Sequence, residues 1–419
     1  MLYEPSRHEA LRPIRWDENV VRRTIERIVA DTEAHFSEER YWPIHPLDAQ
    51  DAHPPDHVET SLYDGACGVI WALHYLEDVG ACALSRRYGA LLERLFVDNR
   101  RALGARAAEY RGSFLLGDTP IAMMAFGEAP TAERASTLRD LIAGNIDHPA
   151  RELMLGSPGT LLAALFLHER TGSERWSDLF RLTANKLWTQ LEWSAEHRCA
   201  YWTQRLYGRS STYLDAVHGF VATALPLICG RHLLDDGAWH DWERTIGDTV
   251  ARTANRVDAH ANWRPELNEA EPGRKRLVQF CHGAPGFVIC LADLPSTALD
   301  GLLLAACELV WSGGPLAKGS NLCHGTGGNG YAFLKLYRRT GAAIWLDRAR
   351  SFAMHGIAQT GESALRYGQS RYSLWTGDLG FAIYLHDCLR AEAEFPTLDV
   401  FYAPRPRSVD PVDRARRTE

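Results

Sequence analysis

Gly156-Ser157-Pro158-Gly159-Thr160-Leu161-Leu162-Ala163-Ala164-Leu165-Phe166-Leu167 is the stretch whose reading decides the fold. A glycine turn runs directly into a helix that is apolar on nearly every face, and a helix of that kind has to be buried. The same phrase recurs as Gly65-Ala66-Cys67-Gly68 before VIWALHYL and as Gly117-Asp118-Thr119-Pro120 before IAMMAF. It returns at His218-Gly219 before FVATALPLI, at Gly283 before FVICLADL, at Gly325 ahead of YAFLKLY, and at Gly377-Asp378-Leu379-Gly380 before FAIYLHDCL. With the first, that makes seven copies, 39 to 64 residues apart.

Amphipathic segments lie between the copies, for example TLRDLIAGNI, ERWSDLFRLTANKLWTQL, WHDWERTIGDTVARTANRV and IWLDRARSFAMHGIAQ. Their apolar residues recur at helical spacing with charge on the opposite face. Buried helices alternating with amphipathic ones predict two concentric layers, and seven pairs can close into a ring that leaves no exposed end repeat. The expected fold is all-α, a seven-fold α/α toroid, forming a single domain over residues 1–403 with a flexible tail over 404–419. Closure also explains how 419 residues fit one domain when length alone would predict two or three. The proline-rich stretch 41–57 reads as a long connection into the first inner helix.

Composition narrows the class. A net charge of 46 − 53 = −7, with 46% hydrophobic and 24% charged residues, describes an ordinary globular protein without a nucleic-acid footprint. The N-terminal residues carry no signal or transit pattern, and no run reaches membrane-spanning length. Nine irregularly spaced cysteines in such a chain read as reduced thiols, which places the protein in the cytoplasm.

All seven turns precede inner helices of one direction, so they are expected to gather at one mouth of the toroid. Cys281-His282-Gly283 and Cys323-His324-Gly325 both lie there, 42 residues apart, together with His218 and Glu152. Two thiolates and at least one imidazole make a soft site suited to zinc. The arrangement most simply supplies three ligands and leaves a coordination position open for chemistry. His282 could be a fourth ligand, a donor behind the ligands or a substrate contact. Asp64, Asp118 and Asp378 read as helix caps.

The string Cys281-His282-Gly283-Ala284-Pro285-Gly286 resembles the CHGAPG motif of the lanthionine synthetase C family, in its LanC-like branch. Lys318-Gly319, with Leu322-Cys323-His324-Gly325 and Gly330-Tyr331-Ala332-Phe333-Leu334, is similar to the second metal motif of that branch. The resemblance implies a seven-fold α/α barrel whose Zn2+ is held by Cys281, Cys323 and His324. It also implies catalytic roles for His218 and Glu152 and places Lys318 near glutathione.

The expected activity is zinc-dependent addition of a cysteine thiol to dehydroalanine or dehydrobutyrine in a dehydrated precursor peptide, giving lanthionine or methyllanthionine. His218 would handle the α-carbon proton, with Glu152 orienting it and His282 assisting by orientation or acid/base action. The alternatives are a glutathione adduct former acting on a dehydroamino-acid-containing protein and a non-catalytic zinc-binding scaffold for peptides. A toroidal glycosidase using Glu152 and Asp378 would leave both Cys-His-Gly strings without purpose. With the repeat filling the chain, a separate dehydratase is the expected partner.

Overall fold

The computed structural model describes residues 2–49, 57–268 and 276–403; the expected tail, 404–419, lies outside them. In chain order the helices are α1 (Glu18–Ala34), α2 (Ala66–Asp78), α3 (Leu92–Leu103), the single turn α4 (Ala107–Tyr110), α5 (Thr119–Glu128), α6 (Ala132–Asn145) and α7 (Ser157–Thr171). They continue as α8 (Glu174–Thr189), α9 (Phe220–Cys229), α10 (Asp236–Thr253), α11 (Ala284–Leu291), α12 (Asp300–Gly313), α13 (Thr326–Thr340), α14 (Ala343–Tyr367) and α15 (Asp378–Arg390).

The seven glycine-opened helices α2, α5, α7, α9, α11, α13 and α15 form the inner ring. Each touches the next, and α15 returns to touch α2, which closes the circle. Their composition dictates this place: the first eleven residues of α2, α7, α13 and α15 are all buried. The outer layer is α1, α3, α6, α8, α10, α12 and α14, each packed on an inner helix. The α/α toroid read from the sequence is therefore observed.

The turns before α2, α9 and α13 share one construction, whereas at α11 the Ala284 N–H donates to a side chain, Asn262 Oδ1, at 2.8 Å. In those three the first N–H groups of the inner helix donate to carbonyls seven residues earlier, as in Phe220 to Tyr213, Val221 to Leu214 and Ala222 to Asp215, or Thr326 to Gly319, Gly327 to Ser320 and Gly328 to Asn321. Backbone thus satisfies the orphan donors that a side chain would otherwise cap. The carbonyl of Leu322 presses where a β-carbon on Gly328 would lie, so this position admits only glycine. Asp118 and Asp378 are consequently not the caps expected of them. Asp118 flanks α5 with no side-chain cap bond and instead binds Asn99 and Arg100, while Gly377 precedes α15 and Asp378 accepts from the Arg371 N–H.

Neighbouring turns are joined edge to edge in one rotational sense. Tyr63 N–H donates to Leu115 O, Leu115 to Met154 and Leu153 to Val217; Cys281 donates to Cys323, Cys323 to Trp375 and Trp375 back to Tyr63, all at 2.9–3.3 Å. Three short hairpins interrupt the helical pattern: β1 (Glu192–Ser194) with β2 (Cys199–Tyr201), β3 (Gln204–Leu206) with β4 (Arg209–Ser211), and β5 (Ala254–Val257) with β6 (His260–Trp263). They occupy the two longest repeats. The helix expected through Val257 stops at Thr253, because Ala254–Val257 pairs with His260–Trp263 across a turn containing Asp258 at a φ of 53°.

Candidate metal centre and its mouth

Cys281 and Cys323 sit on adjacent turns, and the backbone bond between them sets their side chains side by side. Gly283, at a φ of 112°, lets the chain reverse from Cys281 into α11, a conformation that strains other residues. His324 is fixed by its N–H, which donates to Asn321 Oδ1 at 3.0 Å. The two sulfurs and a ring nitrogen of His324 all lie within 4.8 Å of one another, with both cysteines buried. A zinc tetrahedron with Zn–S near ~2.3 Å and Zn–N near ~2.0 Å has edges of roughly 3.5–3.8 Å, so a small inward movement would suit the ion. The donor set and its geometry fit the metal implied by the sequence.

The surroundings are built to carry negative charge on sulfur. Tyr63 Oη donates to Cys323 Sγ at 2.9 Å, and Gln279 Nε2 donates to Cys281 Sγ at 2.8 Å. Arg7 in turn donates to Gln279 Oε1 at 3.2 Å. A hydrogen bond from Cys281, aided by Tyr63, holds the Cys323 thiol below its ordinary pKa despite burial. The same sulfur–sulfur bond, with burial, pushes Cys281 well above its own.

Two carboxylate–histidine pairs stand beside the sulfurs. Glu152, wholly buried, accepts from Met154 N at 2.9 Å, from Leu155 N at 2.5 Å and from His218 Nδ1 at 2.8 Å. Burial disfavours the charged imidazole of His218, but the hydrogen bond and charge of Glu152, with Asp215 adding to them, raise its pKa. Asp215, also wholly buried, accepts from the His218 N–H at 2.9 Å and through its other oxygen from His282 Nδ1 at 2.7 Å. Burial opposes charge on His282 as well, yet Asp215 and Cys281 raise its pKa to about 9.

The structure therefore brings Cys281, Cys323 and His324 together, joins Glu152 to His218, and leaves His282 outside the ligand cluster, committed to Asp215. Asp378 accepts from Arg371 N–H in its own turn and from Ser320 Oγ in the neighbouring one, and Glu152 from its own turn and from His218, so the two carboxylates serve separate places. Lys318 is exposed and lines a cavity of about 460 Å³ with His324, Arg366 and Arg371. A second cavity, of about 380 Å³, is lined by Tyr63, Asp64, Tyr110, Tyr207 and His218. Sequence reasoning missed Asp215, Tyr63 and Gln279. Asp215 was within reach, because it stands four residues before its turn glycine, as Glu152 does in the preceding repeat. Tyr63 and Gln279 carry no comparable signal.

A profile of lanthionine synthetase C-like proteins matches residues 56–400. The chain belongs to this lanthionine synthetase C-like family. Among its relatives, glutathione S-transferase LANCL1 of Danio rerio is 35% identical over 146 residues, 33% of this chain and 35% of that protein. LanC-like protein GCL1 of Arabidopsis thaliana is 29% identical over 265 residues, 59% of this chain and 58% of that one. The chain thus spans less than two thirds of either relative. Nisin cyclase is similar in structure, with a TM-score of 0.53 at 15% identity, covering 89% of this chain and 100% of its own. At that identity the likeness concerns the toroid. For this lanthionine synthetase C-like protein, the resemblance read from Cys281–Gly286 and from the Lys318–Leu334 region holds.

Proposed function

We propose that the protein uses zinc held by Cys281, Cys323 and His324 to add a cysteine thiol across the double bond of dehydroalanine or dehydrobutyrine in a dehydrated peptide, closing lanthionine or methyllanthionine rings. The observation that carries this reading is the convergence of a three-ligand sulfur/nitrogen cluster with the His218–Glu152 pair at one mouth. Cys281, Cys323 and His324 would hold the zinc, which would supply a Lewis acid able to lower the pKa of an incoming thiol. Around the two protein thiolates, Tyr63 and Gln279 moderate the charge by donating to sulfur. As the new C–S bond forms at the β-carbon, the π electrons move toward the carbonyl and leave an enolate. His218, with Nδ1 committed to Glu152, keeps Nε2 to deliver a proton to the α-carbon, and Glu152 stabilises the imidazolium beforehand. Asp215 holds His282 in one orientation beside Cys281.

A second reading, with glutathione as the thiol donor, is favoured by the cavity beside His324. Arg371 there is already paired with Asp48, whereas Lys318 has no acidic partner among the described residues. Lys318 and Arg366 are suited to a donor that brings carboxylates. The name of the Danio rerio relative agrees with this chemistry. In either reading residues 1–403 act as one toroidal unit in the cytoplasm, and dehydration is done by a separate enzyme. No helix among the described residues is long and apolar enough to cross a membrane.

The test is a zinc-supplemented reaction on a peptide holding one cysteine and one dehydroalanine. Ring closure leaves the mass unchanged but removes the thiol from maleimide labelling, whereas glutathione addition raises the mass by one glutathione. Cyclisation supports the first reading and adduct alone the second; neither product would leave a non-catalytic peptide-binding scaffold.

A further inference from the structure

Hairpin β3–β4 reverses at Tyr207-Gly208, whose φ values are 53° and 72°. Two consecutive left-handed residues make the tight turn that matches strand twist, and Asn-Gly, Asp-Gly or Gly-Gly are the pairs suited to it. An aromatic residue in the first position is strained by its own β-carbon. Burial does not offset this strain, since Tyr207 is 53% exposed.

The hairpin holding it is firmly seated. Arg205 N–H donates to Pro149 O at 2.9 Å, Arg151 Nη1 to Thr203 O at 2.7 Å, and Arg209 Nη2 to Tyr213 Oη at 2.7 Å. Gln204 exchanges two bonds with the Tyr213 backbone. This frame sets the Tyr207 ring edge-to-face with His218, the centroids 5.8 Å apart and the planes at 87°. Among the described residues its hydroxyl reaches only Met154 Sδ, at 3.5 Å, and the ring forms part of the wall of the 380 Å³ cavity that also holds His218.

We propose that Tyr207 is the specificity-determining contact for the acceptor: its exposed ring stacks on the planar, conjugated amide of a dehydroamino acid and holds it against His218. This inference rests on the proposed thiol addition and deepens it by assigning recognition of the dehydrated residue. A dehydroalanine unit is flat through its double bond and carbonyl, whereas the serine it derives from is tetrahedral at the α-carbon. An aromatic face half open to the cavity therefore distinguishes them by shape.

The experiment compares wild type, Tyr207→Phe and Tyr207→Asn in three measurements: thermal midpoint, affinity for a dehydroalanine peptide and for its serine parent by fluorescence anisotropy, and thioether formation. Asparagine suits the left-handed turn, so Tyr207→Asn is expected to melt at or above wild type. It should bind the dehydroalanine peptide about five- to tenfold more weakly with the serine peptide unchanged, while Tyr207→Phe keeps the preference. A lower midpoint with unchanged dehydroalanine binding would make Tyr207 structural and overturn the proposal, as would equal binding of the two peptides by wild type. Selective binding that is lost in Tyr207→Asn, in a protein that forms no thioether, would sustain this inference while ending the proposed reaction.

Discussion

Replacing Glu152 with glutamine changes a charge and one donor–acceptor pattern at a wholly buried position. The carboxylate accepts three hydrogen bonds, two from backbone N–H groups and one from His218 Nδ1. Leu155 N–H binds Oε1 while Met154 N–H and His218 Nδ1 share Oε2, so the single amide oxygen of the introduced glutamine cannot serve all three, and with that oxygen kept for Leu155 the NH2 faces a ring nitrogen that was itself a donor. In that orientation His218 keeps a hydrogen bond only by moving its proton to Nε2, the atom required for catalysis. One charge-assisted bond becomes a neutral one of reversed polarity, a loss of about 2–3 kcal/mol in stability. Loss of the carboxylate also removes the main influence raising the His218 pKa, so the imidazole should titrate at lower pH than in wild type. The assay is a nitrogen-15 NMR titration of the histidine rings, which reports tautomer and pKa together, run beside urea denaturation. Thioether formation should fall by about 10² to 10⁴-fold with metal content unchanged. An unchanged His218 tautomer and pKa in Glu152→Gln would refute the reasoning, whatever the activity.

Three further outcomes are expected. Metal analysis of purified protein should give close to one zinc per chain, and Cys281→Ala, Cys323→Ala and His324→Ala should each lower it; full retention in all three would remove the ligand assignment. Lys318→Ala should weaken glutathione addition by roughly tenfold, the loss of one charge-assisted hydrogen bond, while leaving intramolecular ring closure nearly unchanged; equal effects on both reactions would detach Lys318 from the donor. His74, whose Nε2 accepts the Tyr88 N–H at 2.9 Å, is held neutral by burial with its pKa lowered to about 4, so below pH 6.5 the unfolded chain takes up a proton that the folded one refuses. Stability from this group is complete above pH 6.5 and declines toward pH 4, and the advantage of wild type over His74→Gln in urea should shrink by about 3 kcal/mol between pH 7 and pH 4. A pH-independent gap would contradict that sign.

The inner ring was legible because its two requirements, glycine where a carbonyl presses on the helix start and apolar residues on every face, leave direct marks in composition. The Cys-His-Gly strings were legible for a similar reason, since few side chains bind soft metals. What stayed hidden depends on pairing at a distance. Strands of three or four residues carry too short an alternation to announce themselves, so Gln204–Leu206 and Arg209–Ser211 leave no mark in the sequence, and neither does Tyr207. The cap readings of Asp118 and Asp378 failed because residue type alone cannot show that backbone carbonyls already occupy the helix start. Asp215 was overlooked although its register matches Glu152, because its partner His282 lies a full repeat away.

Backbone bonds join six of the seven neighbouring pairs of turns around the mouth and the Asp215–His282 pair bridges the seventh, which makes the distance between Cys281 and Cys323 a property of the whole circumference. Seven wedges must together subtend one full revolution, so a helix pair that swells or narrows in one sector obliges the others to share the angular error. The sulfurs span a single joint of that hoop and act as its strain gauge: a substitution on the far side, such as one in the contact between α5 and α7, can be read as a change in metal affinity. Selection for a tight metal grip would then constrain packing in sectors that never meet the ion.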